Sequence, residues 1–335
     1  MHSYFIKRLL LIVPTLLGIS LISFLIIQMA PGDPAEMRLA EAGQNINQTV
    51  AGQMIEETRA IYGLDQPLHI QYWRWLKRIA TLDFGYSLRD HRPIIEKLKE
   101  RVPVSIQLSV ISLLIAYLIA IPLGIYSSTH QYSKGERFTT VLLFALYSLP
   151  GFWVATMAIV YFGGGDFWDV FPVSGLQSIG AQGWGFWERL QDRIWHLILP
   201  ITCMTYYNLA VLSRYMRSSM LEVIRQDFIR TARAKGLSER LVVYRHALRN
   251  SLIPIVTMMA DLLPALLGGS IVIETIFSIP GMGLLSYEAL QGRDYPLIMS
   301  IFTLSALLTL AGILVADFLY TVIDPRIGYE KRAEA

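Results

Sequence analysis

Charge is scarce in this sequence. Only 16% of its 335 residues are Asp, Glu, Lys or Arg, 53% are hydrophobic, and the mean hydropathy is +0.44; soluble domains carry about 25% charged residues. That balance excludes an ordinary water-soluble globule. Cysteine is nearly absent: the single Cys203, set in an apolar stretch, permits neither an intrachain disulfide nor a thiolate metal cluster. The six histidines, His2, His69, His91, His130, His196 and His246, show no ligand spacing, so no metal site is expected. The chain lacks the Gly-x-x-x-x-Gly-Lys-Ser/Thr string that cradles nucleotide phosphates, so no catalytic residue and no bound cofactor is assigned to it. Its net charge of +3 is small and its bases cluster in a few places, which argues against a nucleic-acid partner.

Long apolar runs are what the sequence has in quantity. Six nearly uncharged segments, 9–30, 102–126, 138–162, 194–213, 252–273 and 295–323, approach the roughly 20 residues that cross about 30 Å of hydrocarbon. The fourth carries His196 and a Thr-Tyr-Tyr-Asn patch, and the fifth and sixth hold one acid each, Asp261 and Asp317. The first is too long for a signal peptide and no small-x-small cleavage site follows it, only Ala30-Pro31-Gly32-Asp33-Pro34, so it is expected to stay. Six spans put both termini on one side. Lys7 and Arg8, Lys134 and Arg137, the loop 214–250, and Arg326, Lys331 and Arg332 all add base to that side, which makes it cytoplasmic by the positive-inside rule.

The long segment 32–101 holds ten basic and ten acidic residues. Ile55, Ile61, Leu64, Leu68, Tyr72, Trp75 and Leu76 recur at near-helical spacing, while Gly63, Pro67 and Gly85 cut it into short pieces. It reads as an extracytoplasmic helical subdomain; an amphipathic interface segment with Trp73 and Trp75 at headgroup level fits the same residues. The expected organisation is an N-terminal span 1–31, the insert 32–101, a membrane domain 102–325 and a cytoplasmic tail 326–335.

The most informative stretch is the cytoplasmic loop 214–250, with nine basic residues against three acids. Met216, Met220, Val223, Ile224, Phe228 and Ala232 fall three to four apart, predicting a helix with one apolar and one basic face. Gly236 stands where a left-handed helix-terminating residue belongs, and Ser238 where a new helix is capped. Charge and periodicity fit two uses: docking a protein, or lying on anionic lipid.

The run Asp227-Phe-Ile-Arg-Thr-Ala-Arg-Ala-Lys-Gly236-Leu-Ser-Glu, followed by Arg245-His-Ala-Leu-Arg-Asn-Ser-Leu-Ile-Pro254, resembles the "EAA" loop of binding-protein-dependent ABC importer permeases. It is similar in particular to the B-type permease subunit of dipeptide and oligopeptide importers. Further fragments extend the resemblance over nearly the whole chain: Pro31-Gly-Asp-Pro34, Tyr62-Gly-Leu-Asp-Gln-Pro-Leu68, Asp83-Phe-Gly-Tyr-Ser-Leu-Arg89, Pro172-Val-Ser-Gly175, Glu274-Thr-Ile-Phe-Ser278, Pro280-Gly-Met-Gly283 and Arg293-Asp-Tyr-Pro296. Two departures narrow it. Arg230-Thr231-Ala232 stands where the general motif has Glu-Ala-Ala, and Leu248-Arg249 where it has Leu-Pro, as in the peptide and nickel branch.

The resemblance implies an all-α polytopic type I importer permease in a bacterial or archaeal cytoplasmic membrane. It would pair with a second permease subunit, two ATPase subunits that carry ATP and Mg, and an extracytoplasmic solute-binding protein. The substrate would be a di- or oligopeptide; nickel, a nickel chelate or a sugar oligomer is the alternative. The segment Arg230, Thr231, Ala232, Arg233, Ala234, Lys235, Gly236 and Leu237 would couple to the ATPase, with Arg233 and Lys235 meeting its acids. A different class, the ion-coupled secondary transporter, predicts internal repeats and several intramembrane charges, and no convincing repeat is present.

Asp261, near mid-span, is expected to face the bundle interior or the pathway; a helix-to-helix hydrogen bond explains it equally. Glu274 is placed to cap the segment Pro280 to Leu290, which with Gly281 and Gly283 is assigned to an outer gate, a plain connecting loop being the alternative. Gly163-Gly-Gly-Asp166 matches an intramembrane aspartyl protease string, but at the end of a span it reads as an interfacial turn. Pro14, Pro122, Pro150, Pro200, Pro254 and Pro264 predict kinked, tightly packed spans.

Overall fold

The computed structural model describes residues 2–29, 65–81, 83–164, 167–258 and 269–323, together with positions 52, 55, 56 and 59. Its helices in chain order are α1 (His2–Met29), α2 (Leu68–Ala80), α3 (Ile94–Thr129), α4 (Lys134–Ser148), α5 (Gly151–Phe162), α6 (Phe186–Ile224), α7 (Asp227–Ala234), α8 (Glu239–Leu241), α9 (Leu248–Met258), α10 (Ile271–Ile276), α11 (Met282–Gln291) and α12 (Tyr295–Ile323). A π-helical stretch, Val242–Ala247, joins α8 to α9. Among the described residues the only β-pairing is a single bridge between Tyr86 and Pro93, so the fold is all-α as expected.

Among the described residues three helices are long and apolar enough to cross a membrane: α3, α6 and the Tyr295–Val315 part of α12. The pair α4 and α5 makes a fourth if counted as one bent span, and α1 offers the shorter apolar stretch Leu10–Ile26. The expected fifth span runs through residues 259–268, which with Asp261 and Pro264 lie outside the described residues, as does the side chain of Asp317.

One expectation needs correction. The third span is not one helix over 138–162, because α4 and α5 meet at 97°. Leu149 precedes a proline and is steered out of the helical region, to φ −83° and ψ 128°, and Pro150 has no N–H to continue the ladder. Pro14, Pro122, Pro200 and Pro254 sit inside helices instead. α3 starts at Ile94 and carries the expected span 102–126 in its later turns.

The chain divides into two compact units, Met1–Arg101 with Leu285–Leu308, and Val102–Leu284 with Thr309–Ala335. In the first, Phe24 of α1 meets Tyr72 and Trp75 of α2 at ring centroid distances of 5.4 and 6.4 Å, and the Ser20 and Tyr72 hydroxyls lie 2.9 Å apart. Trp75 thus belongs to a packed cluster, whereas Trp73 is exposed. The turn 83–93 is tied to the start of α12 by the buried Asp294, which accepts the Ser87 hydroxyl and, at 3.1 Å, the Leu88 amide. The same carboxylate accepts the Leu297 amide at 3.3 Å and so caps α12.

In the second unit, α3 and α6 pack through small residues. Ala116 and Ala120 form a buried cluster with Leu212, and a Cβ built on Gly124 would stand 2.5 Å from the Cβ of Met216. At one end of this unit Arg217 of α6 pairs with the buried Glu136 of α4 at 2.7 Å. At the other, the Gly175 amide donates to the Phe277 carbonyl at 2.9 Å and the Trp195 indole to the Val170 carbonyl at 2.8 Å. The 130–133 turn and the 214–250 loop therefore share one end, and the 163–185 and 269–281 connections the other.

Candidate functional site

The loop 214–250 breaks where the sequence reads continuous helix. Gln226 is extended (φ −70°, ψ 152°), ending α6 and resetting the phase of α7. Ile229, not Phe228, consequently enters the core. Ile229 and Ala232 are buried with Met216, Met220, Val242, Val243 and Ala247, while Phe228 is turned outward and 43% exposed.

The end of α7 is closed by two backbone bonds. The Gly236 amide donates to the Arg233 carbonyl at 2.9 Å and the Leu237 amide to the Ala232 carbonyl at 3.4 Å, with Gly236 at φ +76°. This is the Schellman arrangement, in which a left-handed residue lets the last carbonyls find donors. Leu237 then packs back on the same core. Ser238 occupies the N-cap position of α8 but its side chain makes no cap bond.

The expected coupling residues separate into an anchored and a presented set. Ala232 and Leu237 hold the segment down; Arg230, Thr231, Ala234, Lys235 and Gly236 are exposed. Arg230 pairs with Asp227 at 3.3 Å, and the Thr231 hydroxyl donates to the Asp227 carbonyl at 3.0 Å. Arg233 is engaged within the chain, by both oxygens of Glu239, and that pair holds the Glu239 carboxyl below its ordinary range. The sequence reading missed this partner, although Glu239 stands only three residues past Gly236.

A second constellation surrounds Glu274, a fully buried carboxylate in α10. It accepts the Ser105 hydroxyl at 2.8 Å, the Leu284 amide at 3.0 Å and the Ser270 amide at 3.3 Å. The Ser105 oxygen in turn accepts the Met282 amide at 2.7 Å. Glu274 and Ser105 together cap α11. The space is shaped by glycine: a Cβ on Gly281 would lie 2.4 Å from Glu274 Oε2, and one on Gly283 would lie 2.6 Å from the Ile271 amide nitrogen. Pro280 is half-buried beside them. Nothing in the sequence pattern marked Ser105 as a member.

His196 is held by its own helix, its Nδ1 lying 2.8 Å from the Asp192 carbonyl and 3.3 Å from the Asp192 carboxylate. Among the described residues no group of three or more His, Cys, Asp or Glu could hold a metal ion.

An all-helical membrane subunit with an anchored, glycine-terminated helix at one end and a carboxylate-capped turn at the other is the class that the geometry defines. Residues 120–329 match the family described as binding-protein-dependent transport system inner membrane component, and residues 1–109 match its N-terminal companion, so the chain belongs to that family. It is 39% identical over 330 residues to the oligopeptide transport system permease protein AppB of Bacillus subtilis, covering 98% of this chain and 100% of the relative. It is 35% identical over 347 residues to the dipeptide transport system permease protein DppB of Escherichia coli K12, with 99% and 100% covered. A chain of the inward-facing MetNI methionine ABC transporter shares its fold at a TM-score of 0.54 and 17% identity, covering 69% of this chain and 98% of that one. The protein is thus a multi-pass permease subunit of a type I ABC importer, a transport component and not an enzyme. Such subunits carry no cofactor of their own and work with an ATPase and a substrate-binding protein.

Proposed function

We propose that this chain forms half of the pathway of an ATP-driven importer of di- or oligopeptides, paired with a second, homologous permease subunit. α7 and the Gly236 turn are the coupling element, seated on one of two partner ATPases that bind ATP and Mg. The observation that carries this reading is the division of α7 into a buried face and a presented face, closed by a glycine turn. A short helix fixed to the core in this way passes on a push as a rotation of the spans instead of folding away from it. The exposed Thr231, Lys235 and Phe228 form the presented surface, and Lys235 is its available cation.

Peptide is favoured over nickel because the relatives AppB and DppB, alike over nearly the full chain, are named for peptides. Both termini and the α7 loop are assigned to the cytoplasm from the Lys and Arg asymmetry. The Glu274 cage, with Pro280, Gly281 and Gly283, then falls at the outer end as a gate, and Asp261 is assigned to the pathway. Reconstitution with the partner permease, ATPases and binding protein tests the whole. ATP hydrolysis stimulated by binding protein plus a di- to pentapeptide is expected; stimulation by nickel alone would replace the substrate assignment.

A further inference from the structure

Two arginines of the second unit meet a carboxylate in different ways. At Arg233 the guanidinium fork is complete, with Nη2 on one oxygen of Glu239 and Nε on the other. At Arg217 it is half made. Nη2 donates to Glu136 Oε1 at 2.7 Å, the same oxygen accepts the Thr140 hydroxyl at 3.0 Å, and the Arg217 Nε is buried with no hydrogen-bond partner. The bidentate fork is the stronger geometry, and a buried donor left unpaired is destabilising. Yet the more buried of the two pairs is the incomplete one.

The same deficit is concentrated along α3 and α6. Among the described residues six buried side-chain atoms lack a partner: Ser109 Oγ and Tyr117 Oη on α3, Arg193 Nε, Ser213 Oγ and Arg217 Nε on α6, and Thr275 Oγ1 as the one outside these two helices. Each is enclosed by this chain itself, so no neighbouring subunit and no lipid reaches it. Arg193 repeats the half-made pattern at the other end of α6, with Nη2 on the Gln107 side chain of α3 at 2.6 Å and Nε unpaired. Between these ends α6 rests on Ala116, Ala120 and Gly124 of α3, small residues that interlock little with a neighbour. Spare donors at both ends and a shallow contact between them suit a helix with two seatings.

From this we propose that Arg217 and Glu136 form a two-position joint between α6 and α4, held by one tooth in this structure and closed to the full fork, Nε on Oε2, when α6 turns during transport. Arg217 is the positioning residue, and through it α4 follows the movement of the loop 214–250. Buried ion pairs add little net stability, and fixing a register or a switch is their best-attested use. The place of the joint in the ATP cycle rests on the coupling role proposed above; the half-made fork does not.

The test is a double-mutant cycle, Glu136→Gln, Arg217→Gln and both, in the transporter assembled with its partner permease, ATPases and binding protein in proteoliposomes. Hydrolysis is read without and with loaded binding protein. Each single variant is expected to lower the stimulated rate about tenfold and to leave the basal rate unchanged, and the double variant to lose no more than either. A basal rate that falls by the same factor makes the pair a structural contact and overturns the proposal, as do losses that multiply in the double variant. Arg217→Lys keeps the charge beside Glu136 without the fork, so it is expected to assemble and melt like the wild type and still lose about tenfold in stimulated rate. Full stimulation in Arg217→Lys overturns the joint even where the Gln variants fail to assemble. Spin labels at Arg137→Cys and Ser218→Cys, with Cys203→Ala, read the two positions directly. Their separation is expected to differ between the nucleotide-free and the ATP–vanadate states, and an unchanged separation overturns the joint whatever the ATPase does. Normal stimulation in Gly236→Val together with a changed separation sinks the coupling role of α7 and leaves the joint standing.

Discussion

Arg233 and Glu239 face one another across the Gly236 turn, Nη2 donating to one carboxylate oxygen at 2.6 Å and Nε to the other at 3.1 Å. The pair bridges the end of α7 to the start of α8 and fixes the angle at which α7 is presented. Its members are 42% and 61% exposed, so it contributes about 0.2–1 kcal/mol to stability, and its value lies in orientation.

Glu239→Gln is therefore expected to leave folding unchanged and to weaken coupled ATP hydrolysis by at most about fivefold. The reversal Arg233→Glu with Glu239→Arg is expected to recover most of that loss. ATPase activity stimulated by loaded binding protein is the measurement. Failure of the reversal to recover it would mean that Arg233 acts on the ATPase and not on Glu239.

At Gly236 the constraint is backbone conformation alone, since an added Cβ would meet nothing within 4 Å and φ is +76°. Replacement by Val is expected to cost about 1–2 kcal/mol at the turn and to abolish coupling while membrane insertion proceeds. Asn, which tolerates the left-handed region, should retain most of the activity. Normal stimulated ATPase in Gly236→Val would remove α7 as the coupling element.

Gly124 presents the opposite case, where space is the limit. A methyl there collides with Met216 and the Arg217 amide nitrogen, so Gly124→Ala is expected to lower the melting temperature in detergent, through about 1–3 kcal/mol of overpacking between α3 and α6. Gly18→Ala in α1, with nothing within 4 Å, is the control and should leave it unchanged or slightly raised.

In the turn 83–93, burial works against ionisation of Asp90, but hydrogen bonds from Lys97 and the Arg92 amide hold its carboxyl at about 2 instead of 3.8. A lowered carboxylate stabilises the fold above its unfolded value and stops doing so as pH falls through about 2. With the side chain 40% exposed, water screening reduces this to about 1 kcal/mol. Asp90→Asn is expected to make the turn easier to proteolyse at pH 7 and no easier near pH 2. A difference of equal size at both pH values would count against the ion pair.

Local signals were legible in the sequence wherever one residue decides the outcome. Gly236 announced its left-handed turn, and Pro67 a break that the structure uses as the N-cap position of α2. Periodicity misled at Phe228, because a two-residue interruption at Arg225 and Gln226 turns the helix phase without changing the apolar count. Contacts between distant segments left no trace in spacing: Ser105 is 169 residues from Glu274, and Arg217 is 81 from Glu136. The bend at Pro150 was half readable, since proline in a span is compatible with either a kink or a corner, and only the extended Leu149 backbone distinguishes them.

The unbroken length of α6 has a mechanical meaning. Its 39 residues make a rod of about 58 Å, nearly twice the hydrocarbon thickness. Near one tip it is fastened to α4 through Glu136, and near the other to α3 through the Arg193 and Gln107 pair at 2.6 Å. Helices resist bending far more than loops do, so under the orientation proposed above a torque applied at the Arg217 end is expected to be carried along the rod to the Arg193 end. In the proposed coupling scheme α6 is in this sense the axle of the subunit, a single rigid element that would let nucleotide chemistry on one side of the bilayer be felt on the other with no diffusing messenger between them.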